Sequence, residues 1–232
     1  MKTLYLLTED DSDSLFYEGC AQRVTGEGFT PVCRRMRKGS GIGAVRASLR
    51  IALGEVSRMA VGSGAHFLVA MDNDRAPHAQ AADALPAEQR TRLSKADFHK
   101  TDRHAEILAA LKTILGQDRA EWSVPVAVAI PVEMIESWLL LIACGGQAHE
   151  LPRFARQDSE RARRFHHPTP PPPQLKDRRD SVRAEEGFLD KDEWVLHLIF
   201  NKLEPVDLAK RSPSFGLFKQ WLDSWPRASR VN

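Results

Sequence analysis

Residues 4–13 read LYLLTEDDSD, an apolar run that passes directly into four carboxylates and a serine. The apolar part predicts a buried β-strand over residues 3–8, and the apolar spacing in residues 13–24 predicts an amphipathic helix. Acidic and hydroxyl side chains at a helix start can cap its free N–H groups and favour its dipole. The capping candidates are Thr8, Ser12 and Asp13. The stretch therefore predicts a strand, an acidic turn and a helix, with capping as one interpretation of the charge.

The order of strand, acidic turn and helix recurs along the chain. Residues 65–71, AHFLVAM, predict a buried strand that is followed by the sequence DND. Residues 124–132 predict another buried strand, and residues 133–143 predict a helix whose first turn contains acidic residues. The intervening pattern predicts one more strand and two helices, over residues 29–37, 44–60 and 103–116. Alternating strands and helices are typical of α/β proteins with right-handed crossovers. We therefore predict a Rossmann-like α/β core with a mostly parallel sheet of four strands or slightly more, flanked by helices.

The character of the chain changes after the predicted core, which spans residues 1–145. Residues 146–180 combine the proline run PTPPPP with dense charge, a composition typical of a connector or loop. Residues 181–232 contain short apolar segments of helical spacing. We expect them to form a C-terminal helical segment that packs on the core.

The charge of the chain is balanced overall but uneven in its distribution. The 232 residues include 33 Lys and Arg against 31 Asp and Glu, so the net charge of +2 does not indicate a nucleic-acid binder by itself. A hydrophobic content of 42% is sufficient for a large core. The apolar runs are too short for a transmembrane helix, and no secretory signal is visible. We expect a cytoplasmic protein that does not act at a membrane.

Cysteine and histidine usage does not indicate a metal site of the zinc type. The three cysteines form no CxxC pair, which favours reduced thiols in the cytosol. Cys20 and Cys144 lie in apolar segments and are predicted to be core residues. His66 and His197 lie in a predicted strand and a predicted helix, and we expect both to be core or boundary residues.

Carboxylates follow three of the four predicted strands. In a parallel sheet the carboxyl ends of the strands meet at one edge, where ligands bind. Carboxylates held together repel one another unless a cation neutralises them, and hard oxygen ligands suit Mg²⁺ or Mn²⁺. Asp72 and Asp74 are two positions apart, and residues two apart in an extended backbone point to the same side, so both could reach one ion. The candidate metal ligands are Glu9, Asp13, Asp72, Asp74, Glu133 and Glu136.

This arrangement resembles the toprim domain, the α/β catalytic core shared by topoisomerases, bacterial primases and overcoming-lysogenization-defect nucleases. Toprim proteins carry a glutamate just after the first strand and a DxD after a later one, matching Glu9 and the pair Asp72 and Asp74. The nuclease branch extends the first motif to E-G-x-S-D/E, which TEDDSD fits through Ser12 and the following aspartate. Asp10 replaces the usual glycine, a departure that adds one negative charge.

Within the toprim group, the chain is most similar to the family known as domain of unknown function 4276. That family shows a basic second strand with a glycine-rich turn, here RRMRKGSGIG, and a helix motif, here PVEMIESWLL. It also shows a C-terminal S-F-x-x-F segment, here SPSFGLF. The resemblance covers residues 4 to 222.

The resemblance implies metal-dependent phosphodiester chemistry. Carboxylates matching Glu9, Asp13, Asp72 and Asp74 would hold one or two divalent ions, and an acid of the later helix would complete the second site, either Glu133 or Glu136. A lysine from the C-terminal part is expected to neutralise charge on the phosphate in the transition state. Lys191 is the first candidate and Lys202 the second. The catalytic set is therefore Glu9, Asp72, Asp74 and Lys191.

The basic segment of the second strand is a candidate nucleic-acid contact. Basic side chains beside an acidic crevice can follow a phosphate backbone, although such a run is also typical of a solvated strand edge. The candidates are Arg34, Arg35, Arg37 and Lys38.

We therefore expect a Mg²⁺- or Mn²⁺-dependent toprim nuclease acting on DNA or RNA. The resemblance also implies an ATPase encoded nearby as a partner, and a role in defence against phage. A non-enzymatic toprim-like module that binds a partner protein or nucleic acid is the alternative. A receiver-like phosphoacceptor domain is a weaker one, because receivers need a Ser or Thr after the fourth strand, where this chain has Pro131, Val132 and Glu133.

Overall fold

The computed structural model describes residues 2–9, 13–36, 42–71, 103–131, 135–145 and 175–226. Four strands lie in the first part of the chain: β1 (Lys2–Thr8), β2 (Phe29–Arg35), β3 (His66–Ala70) and β4 (Val126–Ala129). The helices between them are α1 (Ser14–Thr25), α2 (Ile42–Ser63) and α3 (Arg103–Leu115), with a 3₁₀ turn at Arg119–Glu121. The helices that follow are α4 (Ile135–Cys144), α5 (Leu175–Glu185), α6 (Lys191–His197), α7 (Pro205–Arg211) and α8 (Pro213–Asp223). A π-helical turn, Leu198–Lys202, continues α6.

The four strands form one parallel sheet in the order β2, β1, β3, β4. Leu6 of β1 pairs with Cys33 of β2 on one side and with Leu68 of β3 on the other, so β1 is central and β2 is an edge strand. Each of the three connections between successive strands contains a helix, as parallel pairing requires. The predicted α/β class, the parallel sheet and the flanking helices are confirmed.

Strand β1 is buried on both faces, which explains its continuous apolar sequence. Neighbouring side chains on a strand point to opposite faces. The Tyr5 hydroxyl donates a hydrogen bond to Glu55 of α2, whereas Oγ1 of Thr8 lies 3.4 Å from Oγ of Ser14 on α1. Helices α1 and α2 therefore cover opposite faces of the sheet at β1.

The described elements divide into two compact units. One contains the sheet with α1, α2, most of α3 and the end of α8, and its core includes Tyr17 of α1, which meets the ring of Phe218 edge to face at 6.2 Å. The other contains α4 to α7 and the start of α8. In that unit every residue of α4 from 135 to 142 is buried, as expected for a helix that is apolar on all sides.

Several boundaries differ from the sequence predictions. Strand β4 is shorter than the predicted range of 124–132, because it ends at Ala129 before Pro131, which has no N–H group for a ladder. Residues 175–180, predicted as part of the connector, form the first half of α5 instead; the rest of that connector lies outside the described residues. Cys20 is buried as predicted. Cys144 is exposed, and this prediction was wrong because the residue lies at the end of α4, directly before the turn at Gly145.

Candidate metal centre

The carboxyl ends of β1 and β3 lie next to each other at the point where the strand order reverses. From β1 the chain first moves outward to β2 and then returns past β1 to form β3 on its other side. Parallel α/β sheets bind ligands at such a switch point. Glu9 directly follows β1, and Asp72 comes two residues after Ala70, the last residue of β3. Each predicted motif thus follows, in sequence, a strand whose carboxyl end lies at this switch point, and the second motif itself lies outside the described residues.

Glu9 is exposed, and its backbone is tied to the edge strand. The Arg35 side chain donates a hydrogen bond from Nε to the Glu9 carbonyl oxygen at 2.9 Å. One residue earlier, the Thr8 carbonyl accepts from the Met36 N–H at 2.7 Å. These two bonds hold the chain at the end of β1 while leaving the Glu9 side chain at the surface.

The residues on either side of the acidic segment, Thr8 at the end of β1 and Ser14 at the start of α1, lie close together. Thr8 and Ser14 are both buried, and their hydroxyl oxygens are 3.4 Å apart. Asp13, the residue before α1, has helical backbone angles, and its side chain accepts no capping hydrogen bond. Capping of α1 by Asp13 is therefore wrong, whereas Ser12 lies outside the described residues. Glu9 follows the last residue of β1, and Asp13 precedes the first residue of α1.

Three of the six predicted ligands lie outside the described residues, namely Asp72, Asp74 and Glu133. Within the described residues, no three His, Cys, Asp or Glu side chains are close enough together to hold a metal ion. The carboxylates that are described, Glu9 and Glu136 among them, offer the hard oxygen donors that suit Mg²⁺ or Mn²⁺.

Glu136 is buried in α4 and forms an ion pair that the sequence did not predict. Its Oε1 accepts a hydrogen bond from Nη1 of Arg179 on α5 at 2.7 Å, and the two side chains are only 4% and 13% exposed. Arg179 belongs to the basic run KDRRDSVR, whose composition is visible in the sequence. The sequence does not show that Arg179 pairs with Glu136, 43 positions away. Arg179 is the site-region residue that sequence reasoning missed.

The two lysine candidates lie on the C-terminal helices. Lys191 is the first residue of α6, after Asp190, whose side chain caps that helix by accepting from the Glu193 N–H. Lys202 lies at the end of the π-helical turn and forms an ion pair with Glu186 at 2.8 Å. This ion pair engages the Lys202 ammonium with a carboxylate.

The two described basic residues of β2 occupy an exposed sheet edge, while Arg37 and Lys38 lie outside the described residues. Arg34 is 55% exposed, with Nε 3.5 Å from Oε2 of Glu55 and its guanidinium carbon 5.9 Å from the centre of the Tyr5 ring. Arg35 contacts the Glu9 carbonyl. Arg34 and Arg35 are thus both exposed, where a phosphate could reach them, and Arg35 also holds the backbone at Glu9.

The two other motif segments of the resemblance meet inside the second unit. Nε1 of Trp138, from PVEMIESWLL, donates to Oγ of Ser214, from SPSFGLF, at 2.8 Å in a buried position. The Phe215 ring meets the Trp138 ring edge to face at 5.3 Å. These motif residues therefore hold α4 against the start of α8, and Trp138 lies two residues after the buried Glu136.

The chain was compared with known protein families, proteins and structures. No protein-family model, curated protein or solved structure matches the chain. In the part of the chain that the structure describes, no helix is both long enough and apolar enough to cross a membrane.

Proposed function

We propose that this protein is a Mg²⁺- or Mn²⁺-dependent nuclease of the toprim type that hydrolyses phosphodiester bonds in DNA or RNA. The proposal rests on one observation above all. The strands that lead into the two acidic motifs, β1 and β3, are parallel neighbours at the switch point of the sheet. Acidic side chains at that position are the donors that a divalent ion with a bound phosphate requires.

In this proposal the acidic and basic residues have separate roles. Glu9, Asp13, Asp72 and Asp74 hold the metal, with Glu133 or Glu136 as an additional ligand. The bound ions supply an activated water and stabilise the leaving oxygen. Lys191 neutralises charge on the phosphate, and the basic edge of β2 positions the nucleic-acid backbone.

The test is a cleavage assay with purified protein, Mn²⁺, and single-stranded DNA, double-stranded DNA and RNA in parallel. Glu9→Gln should lower the rate at least about a hundredfold, since losing a metal ligand removes several kcal/mol of stabilisation of the transition state. Glu121→Gln is the matched control, because Glu121 is exposed and precedes β4, on the amino side of the sheet. The toprim resemblance also implies a partner ATPase, so each assay is repeated with the protein encoded next to this one. Equal rates for wild type and Glu9→Gln under all conditions would refute the proposal.

A second candidate is a non-enzymatic toprim-like module that binds a partner protein or nucleic acid. The Glu136 ion pair favours it, because an arginine already neutralises one of the acids expected to hold metal. Calorimetry that finds no Mn²⁺ binding, with unchanged partner binding by Asp72→Ala, would support this candidate over the nuclease.

A further inference from the structure

Helix α6 and the π-helical turn that continues it have more apolar side chains than their buried side uses. Trp194 and Leu198 are buried and belong to the core of the second unit. Leu196 is exposed, and Phe200 is 51% exposed. A surface helix normally has polar residues away from its buried side. Packing among the described residues therefore does not account for Leu196 and Phe200.

The π-helical turn directs Phe200 outward. The Leu203 N–H donates to the Leu198 carbonyl at 2.7 Å, across five residues where an α-helix has four. The extra residue allows Leu198 and Leu203 both to be buried, while Phe200 between them faces solvent. Single π turns are rare and occur frequently at functional sites. The exposure of Phe200 is thus set by the backbone of the turn.

Leu189 projects from a firmly held loop just before α6. Its side chain is 96% exposed. Its backbone is nevertheless fixed, because its carbonyl accepts a hydrogen bond from Arg183 and the next residue, Asp190, caps α6. An apolar residue directly before an N-cap often packs on the helix that follows, and Leu189 does not. An exposed leucine on an ordered backbone is a good anchor for a partner, because binding has little backbone freedom left to remove.

Acidic residues border these apolar side chains in sequence. Residues 189–207 contain five Asp or Glu against two Lys, and one of these lysines, Lys202, is paired with Glu186. Asp192 and Glu193 are exposed in the first turn of α6, where they also favour the helix dipole. Like charges repel, so this surface disfavours nucleic acid, an anionic membrane and a second copy of itself. It favours a partner with Lys and Arg.

We propose that the α6 surface, defined by Leu189, Leu196 and Phe200, binds a basic amphipathic helix of a partner protein. Apolar side chains of that helix cover the three residues, and its Lys and Arg side chains face Asp192 and Glu193. Helices whose apolar faces are bordered by charge pair in this way, with apolar contacts giving affinity and charges selecting the partner. This inference does not depend on the proposed nuclease chemistry.

The test uses the full chain and two synthetic helical peptides with labels. Both peptides have leucine along one helical face; the first has lysine at the other positions, and the second has glutamate there. Fluorescence anisotropy should show binding of the lysine peptide with a Kd in the micromolar range and no binding of the glutamate peptide. The affinity for the lysine peptide should fall as the salt concentration rises, because salt screens the exposed charges.

Leu189→Ser and Phe200→Ser should each weaken binding of the lysine peptide at least about tenfold, as the loss of an interface anchor does. Ile51→Ser is the matched control, because Ile51 on α2 is also exposed, at 45%, but is not part of the α6 surface. Its Kd should change less than about twofold. Asp192→Asn combined with Glu193→Gln should weaken binding and reduce its dependence on salt. The three serine variants should unfold within about 2 °C of the wild type, since the replaced side chains are exposed.

The outcomes decide between this partner and other occupants of the α6 surface. Weaker binding by Leu189→Ser and Phe200→Ser, with Ile51→Ser unchanged, supports the proposal. No binding of the lysine peptide by the wild type, or equal binding by all variants, would overturn it. Sedimentation and flotation with phosphatidylserine vesicles test a second copy and a membrane. Self-association or vesicle binding that is lost in Phe200→Ser would assign the surface to that occupant and overturn the proposal.

Discussion

Trp138 and Ser214 are joined by a buried hydrogen bond of 2.8 Å between the indole N–H and the serine hydroxyl, across 76 positions of sequence. Ser214 lies within 3.4 Å of the Ser212 hydroxyl, which in turn accepts from the Phe215 N–H at 3.1 Å. The polar atoms at the start of α8 are thus paired with one another or with Trp138. This small polar cluster fixes α4 beside α8 within an otherwise apolar region.

Replacing Ser214 by alanine should lower the free energy of unfolding by about 1–3 kcal/mol, because the buried Trp138 N–H loses its acceptor. Urea unfolding followed by tryptophan fluorescence measures this change. Ser181→Ala serves as the control, since the Ser181 hydroxyl donates to Glu185 at an exposed position and its loss should cost less than about 0.5 kcal/mol. Equal losses in the two variants would contradict the role given to Ser214.

His66 should make the protein sensitive to mild acid. Its Nδ1 donates to the Gly64 carbonyl at 3.0 Å, so in the neutral ring the lone pair is on Nε2, which is buried without a partner among the described residues. Burial lowers the pKa of His66 below its usual value of 6.5. As the pH falls below 6.5, the unfolded chain therefore binds a proton at this histidine more readily than the folded protein does, and the free energy of unfolding decreases.

His66→Phe should flatten this dependence, because a phenyl ring can keep the packing on Trp225, whose ring centre is 4.7 Å away, without a titrating group. Denaturant unfolding of both proteins between pH 5 and pH 7.5, roughly the range in which an unperturbed histidine titrates, gives the slope of the free energy of unfolding against pH for each. The same slope in both proteins would show that other groups cause the acid sensitivity.

Tyr5 should make the protein sensitive to alkali. Its ring is buried, its hydroxyl donates to Glu55, and its pKa is raised well above the usual 10, first by burial and then by this bond. A raised folded-state pKa means that the stabilisation is complete below pH 10 and is lost as the pH rises further, because the unfolded chain ionises first. Tyr5→Phe should lose less stability than wild type between pH 9.5 and pH 11.5, a range around the usual tyrosine pKa. Unfolding by urea at these pH values measures the difference, and parallel losses in the two proteins would contradict it.

The elements with continuous apolar sequence were predictable to within a few residues. TLYLLT and AHFLVAM became β1 and β3 because a strand that is covered on both faces needs apolar residues at every position. Pro31 lies within β2, which is an edge strand, the position in a sheet where a proline is tolerated. The end of α4 was predicted to within one residue, whereas the exposure of Cys144 was not, because an apolar run does not reveal where a helix reaches the surface.

The candidate site was predictable only in part. The carboxylates that follow the strands are visible in the sequence, and the parallel fold then places Glu9 at the carboxyl end of the central strand β1. Ligands of parallel α/β sheets commonly bind on that side. Glu136 was grouped with the metal ligands because it lies in the same acidic helix start. The sequence offered no means to see that Arg179 reaches it, because many arginines are spaced along the chain and each could pair with many acids.

The sequence by itself determined the α/β class, the parallel order of strands and helices, and the presence of acidic residues directly after β1, because these depend on local apolar spacing and on covalent order. Only the tertiary structure decided that β3 lies beside β1 and that the Glu136 carboxylate is neutralised by Arg179. Such pairings bring together residues far apart in sequence. They depend on which buried charges find a partner when the helices pack, and no local pattern encodes that choice.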